Sequence, residues 1–125
     1  MKKLIFFLTL IIIGCNKKTE IKIFQNFQIE NDWKRDSLGC NKKRTIELQE
    51  KLLNENHLQN SNIGDFENVF GKPNEIEKHD SVTILIYYTS TICNSNQKVI
   101  PNSDKGYANF YFINNKLKNY GNPVE

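Results

Sequence analysis

The sequence predicts an α+β domain in which two short helices pack on a small antiparallel β-meander of three to four strands. Three observations carry that expectation. Apolar residues recur at helical spacing between about Asn41 and Phe70, and the stretch ends in Gly71-Lys72-Pro73, where a helix must stop. After Pro73 the apolar period drops to two, in one run from Val82 to Thr89 and another from Tyr107 to Ile113. Asn114-Asn115, between the second run and Leu117, has the residue types of a type I′ hairpin turn, since asparagine tolerates the left-handed backbone region.

In chain order, the first helix is expected from about Asn41, with Ile46, Leu48, Leu52 and Leu53 on one broad face. Glu47 precedes Lys51 by one helical turn, the favourable order for a surface ion pair. Asn54-Glu55-Asn56 weakens this helix and Asn60-Ser61-Asn62 ends the segment. Asn62 then caps a second helix, with Asp65 placed as in a capping box and Gly64 in the first turn. Phe66, Val69 and Phe70 take i, i+3 and i+4 positions, and Gly71 supplies a left-handed C′ residue.

Beyond Pro73, Ile76 belongs to a short strand closed by a turn at His79-Asp80-Ser81. Val82, Ile84, Ile86 and Tyr88 alternate with Thr83, Leu85, Tyr87 and Thr89, so both faces of the next strand are substantially apolar. Asn94 to Lys105 is expected to be a polar loop. Ala108, Phe110 and Phe112 alternate with Tyr107, Asn109, Tyr111 and Ile113, and Lys116 to Tyr120 returns as a last strand carrying Leu117. Upstream of the helices, Ile21, Ile23, Phe24, Phe27 and Ile29 are apolar without one clear period. A short strand and a packed extended arm are equal alternatives there, and Trp33 ends the arm.

A chain of 125 residues holds one domain at most. Its first positions are of a different character. Met1-Lys2-Lys3 is cationic, and Leu4 to Ile13 is an apolar run broken only by Thr9. A bilayer-spanning helix needs ~20 such residues, so this run has instead the length and flanks of a secretory h-region. With Lys2 and Lys3 set aside, the 17 basic residues nearly balance the 14 acidic ones, and net charge gives no support to nucleic-acid binding. Eighteen asparagines and a single alanine reflect genome base composition rather than a task.

Ile12-Ile13-Gly14-Cys15 closes the apolar run with a small residue directly before a cysteine. Over positions 1–15 the chain resembles a bacterial lipoprotein precursor. The resemblance implies diacylglyceryl transfer to the Cys15 sulfur, cleavage after Gly14 and acylation of the new amino terminus, palmitate being one such acyl group. At ~0.8 kcal/mol per buried CH₂, several acyl chains make attachment effectively permanent. Asn16 stands where some lipoproteins carry the Asp that keeps them at the inner membrane, and Lys17-Lys18 offers no acidic export tag. An outer-membrane protein facing the periplasm is the expectation. The chain then divides into a signal peptide (1–14), a lipidated tether (15–20) and a single α+β domain (21–125).

With Cys15 lipidated, Cys40 and Cys93 remain. An even remainder in an oxidising compartment reads as a disulfide, with two buried free thiols as the alternative. Such a bridge would be worth ~4 kcal/mol in the chain-entropy model. Neither cysteine lies in a Cys-x-x-Cys pair, and only His57 and His79 could add to a metal site, at irregular spacing. No metal or cofactor is expected.

His79-Asp80-Ser81 has the residue types of a catalytic triad, but side chains of consecutive residues diverge, and the trio reads as a turn. His57, near a helix end among Asn and Glu, reads as solvated. Lys42-Lys43-Arg44, with Lys34-Arg35 just before, reads as a solvated helix turn, contact with anionic headgroups or an acidic partner being the alternative. Trp33 reads as core, with an exposed partner anchor as the alternative. A phosphate-binding glycine loop, paired carboxylates and a nucleophile with a base are all missing, so catalysis is not indicated.

The run from Asn62 through Gly71-Lys72-Pro73-Asn74, followed by strands and the Phe110-Tyr111-Phe112-Ile113-Asn114-Asn115-Lys116-Leu117 hairpin, resembles the SmpA/OmlA (BamE-like) lipoprotein fold. That family has a capped short apolar helix ending in Gly-x-Pro and a closing hairpin with an aromatic strand. The resemblance covers about positions 44 to 120. Trp33, Asp36, Gly39 and Cys40, with Cys93, depart from the family pattern, so no partner-binding residue is carried over. What it implies is a non-enzymatic, membrane-tethered module that docks to another envelope protein, in outer-membrane maintenance. The alternative is an inhibitor or immunity lipoprotein whose 94–105 loop or Trp33 region blocks a toxin or hydrolase. Partner identity and oligomeric state are not legible.

Overall fold

The structure, a computed structural model, describes residues 32–122. The leader, Cys15, the tether and the arm from Ile21 to Ile29 lie outside the described residues. Three short helical pieces precede a four-stranded antiparallel sheet, an α+β arrangement as the sequence pattern predicts. The piece not foreseen is a helical turn over 32–35, which carries Trp33 into the core.

Helix α1 (Ile46–Glu55) starts later than its apolar pattern suggests. Thr45 is the N-cap, its hydroxyl accepting from Leu48 N at 3.2 Å, and Glu47 complements the positive end of the helix dipole. Residues 41 to 44 are not helical because the Asp36 carboxylate gathers the Asn41 and Lys43 amides around a left-handed Lys42. Asp36 Oδ1 accepts from Asn41 N at 3.0 Å and its Oδ2 from Lys43 N at 2.8 Å, with Lys42 at φ +53° between them. Lys42-Lys43-Arg44 is therefore a loop rather than a helix turn. The buried stripe of α1 is Gln49, Leu52 and Leu53, while Ile46 is exposed. Gln49 can take that place because its amide donates to Gly121 O at 3.2 Å.

Helix α2 (Ile63–Phe70) follows its sequence signals closely. Asn62 Oδ1 accepts from Asp65 N at 2.8 Å, and Asn62 Nδ2 donates to Asp65 Oδ2 at 3.0 Å. Gly71 ends the helix at φ +78°, a backbone state that glycine adopts without steric cost.

Strands β1 (Glu75–His79), β2 (Val82–Thr91), β3 (Lys105–Ile113) and β4 (Lys116–Tyr120) form a meander in the order β1-β2-β3-β4. Asp80, at φ +50°, turns the first hairpin; Asn114 and Asn115, both with positive φ, turn the last. The expected 94–105 loop is shorter and more ordered than a plain polar connection. Lys105 already belongs to β3, Cys93 bridges to Val99, and Asn94 Oδ1 accepts from Asn96 N and Lys98 N at 2.9 and 3.1 Å.

The core lies between the helices and one sheet face. Phe66 and Phe70 stack at 4.4 Å, Phe66 packs over Phe110 at 4.7 Å, and Trp33 meets Phe70 edge-on at 5.0 Å. Ring pairs of this kind add ~0.5–1.5 kcal/mol each beyond the area they bury. Leu52, Leu53, Leu58, Leu85, Tyr87, Ala108, Phe112 and Leu117 complete the cluster. Trp33 is thus core and not an exposed anchor.

Arg44 joins this core to the chain upstream of it. Only 2 % of Arg44 is exposed, so its charge has lost nearly all contact with water. Protein acceptors replace the water at Nε and Nη1. Nε donates to Trp33 O at 2.9 Å; Nη1 reaches Ser37 O, Asn74 Oδ1 and Tyr88 O at 3.2, 3.1 and 3.0 Å. The guanidinium carbon also stands 5.2 Å from the Trp33 ring centre and 5.5 Å from that of Tyr87. Burial lowers the Arg44 pKa to about 10, with nearby Asp36 and Tyr87 opposing the shift, so the group stays charged at neutral pH. Lys42-Lys43-Arg44 is accordingly not one solvated run: its third member is interior.

Removing the side chain would leave a cavity beside Trp33 and take a donor from Trp33 O and Tyr88 O, while Ser37 O and Asn74 Oδ1 keep Asn74 Nδ2 and Tyr88 N. Arg44→Ala is expected to lower unfolding free energy by ~3–5 kcal/mol in denaturant titration. Arg44→Lys should recover only part, because an ammonium cannot reproduce the planar fork.

Candidate docking surface

Directly opposed residues in an antiparallel sheet share a face, so register assigns the side of the sheet away from the helices. Val82↔Ile113, Ile84↔Tyr111, Ile86↔Asn109 and Tyr88↔Tyr107 are the paired positions. The same face continues onto β1 through Glu75, Glu77 and His79, opposite Ile86, Ile84 and Val82, and onto β4 through Lys116 and Asn119. The core cluster contains the alternate residues Leu85, Tyr87, Ala108, Phe110 and Phe112, so both described helices pack on the other side. Among the described residues, no helix covers this aliphatic and tyrosine-rich face.

Its surface is graded. Ile86 is buried by its strand neighbours, Ile84, Tyr88 and Tyr111 are half-buried, and Tyr107 and Ile113 are exposed. Glu75, Glu77, Ile86, Tyr107 and Asn109 line a shallow hollow of about 260 Å³. Asn109 places an amide within it whose Oδ1 is enclosed and has no hydrogen-bond partner, a desolvation cost borne by the fold. At one corner the Tyr88 hydroxyl donates to the Glu75 carboxylate. The Tyr107 ring meets that of Tyr88 edge-on at 5.6 Å, and Lys105 Nζ stands 5.1 Å from the Tyr88 ring centre. That hydrogen bond, helped by desolvation and the carboxylate's charge, pushes the Tyr88 pKa up to about 12.

Cys40 and Cys93 are joined as a disulfide across 53 positions, with Cα atoms 5.6 Å apart. The two strands of chain meet before the bridge is reached. Thr91 N donates to Gly39 O at 3.2 Å and the Thr91 hydroxyl to Leu38 O at 2.8 Å. Gly39 permits this approach: its φ is +71°, and a Cβ there would lie 2.9 Å from Tyr88 O.

The remaining sequence candidates are dispersed. His57 is exposed at φ +52° after α1. His79 is exposed and pairs with Glu77, 3.6 Å away, while Asp80 and Ser81 form the hairpin turn, so the three residues make no catalytic chain. Among the described residues, no three His, Cys, Asp or Glu side chains converge as metal ligands, and no helix is long and apolar enough to cross a membrane. Sequence reasoning placed Arg44 in a solvated basic run, which its buried position corrects, and did not single out Asn74 or Glu75 as site residues. The open face had a visible signal, the apolar character of both faces of β2.

Comparison with protein-family models, curated proteins and solved structures returns no match for this chain.

Two outcomes follow from this geometry. Cys93→Ser should slow migration on a non-reducing gel to that of the reduced protein and lower stability by ~2–4 kcal/mol. Glu75→Gln should return the Tyr88 phenol toward ordinary titration, read by ultraviolet absorbance or NMR. The raised phenol pKa means that this contact contributes stability below about pH 10, and that the contribution disappears as pH rises through about 12.

Proposed function

We propose that this chain is a non-enzymatic docking module of the bacterial envelope, anchored through lipid on Cys15 and working in the periplasm at the outer membrane. The observation that carries the reading is the open sheet face, an apolar and tyrosine-bearing surface edged by Glu75 and Glu77. Contiguous exposed apolar surface is costly in water and marks an interaction site in a stable protein. Tyrosine suits such a site, since a rigid ring covers area while its hydroxyl remains hydrogen-bonded. The partner is an envelope protein presenting aliphatic side chains bordered by basic ones. Support for an oxidising location comes from the Cys40–Cys93 bridge. The capped α2 helix, Gly71-Lys72-Pro73 and the closing aromatic hairpin support an SmpA/OmlA-like relationship.

Two measurements test the two halves of this reading. Mass spectrometry of membrane-extracted protein should find an amino-terminal, acylated Cys15; an intact Met1 or a free Cys15 thiol overturns the anchor. Cross-linking and pull-down from membranes should recover a partner that Tyr107→Glu combined with Ile113→Ser no longer captures. Both residues are exposed, so the fold should survive. Equal capture of that partner by the altered protein refutes docking through this face.

A further inference from the structure

Past the bulge between Tyr88 and Ser90, β2 leads into a small hairpin held by the Cys40–Cys93 disulfide. Ile92 and Ile100 lie opposite one another across it, with Ile100 N donating to Ile92 O at 2.8 Å. Both are exposed, at 55 % and 41 %. Leu38, 37 % exposed, lies on the adjoining segment, which Thr91 ties to the end of β2. Single exposed aliphatics are ordinary, but Ile92 and Ile100 are opposed across one short hairpin, with Leu38 on the segment beside it.

The charge around the patch is predominantly positive. Lys42 and Lys105 line the same hollow as Ile92. Arg35 lines a second hollow with Leu38, Cys40 and Gln97. Lys98 lies in the hairpin turn, its amide held by Asn94. Of the acids nearby, Asp36 is buried on the Asn41 and Lys43 amides, which leaves Asp104 as the exposed carboxylate lining these hollows.

Aliphatic tips ringed by cations match the boundary layer of an anionic bilayer. The tips enter the headgroup–acyl region while ammonium groups meet phosphates. The course of the chain favours lipid over a protein as the occupant. Residues 16–31 separate Cys15 from Asp32, and at ~3.5 Å per extended residue they reach at most about 55 Å. The chain then enters the fold through the helical turn over 32–35, whose last residue, Arg35, lines the Leu38 hollow. A membrane anchor at Cys15 would therefore keep the domain within about 55 Å of the lipid surface, and the cationic, aliphatic end is the part whose charge complements anionic headgroups.

We propose that the disulfide-held end, with Ile92, Ile100 and Leu38 as tips and Lys42, Lys98, Lys105 and Arg35 as the cationic rim, lies against anionic membrane. The inference rests on the anchored reading for proximity, though not for the contact itself. Lys105, whose Nζ stands over the Tyr88 ring, borders both surfaces, and the rest of the open sheet face stays available to a protein partner.

Hydrogen exchange of the full chain on vesicles tests it. Amides of 38–42 and 92–100 should exchange several-fold more slowly on phosphatidylcholine–phosphatidylserine vesicles than on phosphatidylcholine alone, and added salt should reduce the difference. Lys42→Glu with Lys98→Glu should weaken the contact about fivefold per lysine. Ile92→Ser with Ile100→Ser should abolish it, while amides in β3 remain protected as a check on folding. Equal exchange on both vesicle types overturns the proposal, as does undiminished protection in either variant. Protection that follows protein density rather than lipid charge would assign the patch to a second copy and also refute it. Acylated Cys15 without the exchange difference defeats this inference alone; the difference with an unmodified Cys15 defeats only the anchor.

Discussion

A guanidinium in the interior of a small protein must find hydrogen-bond acceptors or cost several kcal/mol in lost hydration. Arg44 finds them in four places, and those places belong to segments that otherwise have little reason to meet. Trp33 and Ser37 supply carbonyls from the entering chain, Asn74 supplies its amide oxygen from the approach to β1, and Tyr88 supplies a carbonyl near the end of β2. Asn74 ties the same knot from the other side, accepting from Tyr88 N at 2.8 Å and donating to Ser37 O at 2.7 Å. The apolar core could collapse without this network, but the chain from 32 to 44 would have no defined seat. Placing Trp33 against Phe70 and Tyr87 is the packing consequence.

The disulfide and Gly39 act on the same segment at its far end. A covalent cross-link confines the unfolded chain, while the Thr91 hydrogen bonds and the glycine's left-handed backbone set the local course in the folded one. Between Arg44 and Cys40–Cys93, the entering chain is fastened to β2 at two points. That arrangement gives the end of the sheet a rigid rim instead of a mobile loop.

Two short helices have apolar area for one face of a four-stranded sheet and no more. Phe66 and Phe70 on α2, with Leu52 and Leu53 on α1, fill the space over Leu85, Tyr87, Phe110 and Phe112. The opposite face keeps Val82, Ile84, Ile86 and three tyrosines with no described helix to cover them. Charged residues limit the hazard at its margins. β1 is exposed along its whole length and carries Glu75, Glu77 and Lys78, which discourages pairing with a further strand. Within the face, the tyrosine–carboxylate corner adds polar definition to an otherwise apolar surface.

Periodicity by itself determined the element types. The switch from helical to alternating spacing at Pro73, the Asn62 cap, the Gly71 stop and the Asn114-Asn115 turn are local features, so the α2 helix and the meander could be read directly. Counting cysteines favoured the Cys40–Cys93 bridge only on the expectation that Cys15 is set aside, and two free thiols stayed open until the fold brought the pair together. The course of residues 32–45 was decided only in three dimensions. Asp36 withdraws the Asn41 and Lys43 amides from helix formation, and Arg44 turns inward because acceptors distant in sequence converge on it. A basic tripeptide looks alike on paper whether its last member faces water or a ring of carbonyls. Likewise, the apolar character of both faces of β2 was legible, but which face would remain open depended on where the helices docked. That choice is made by packing across the whole chain, and no local pattern encodes it.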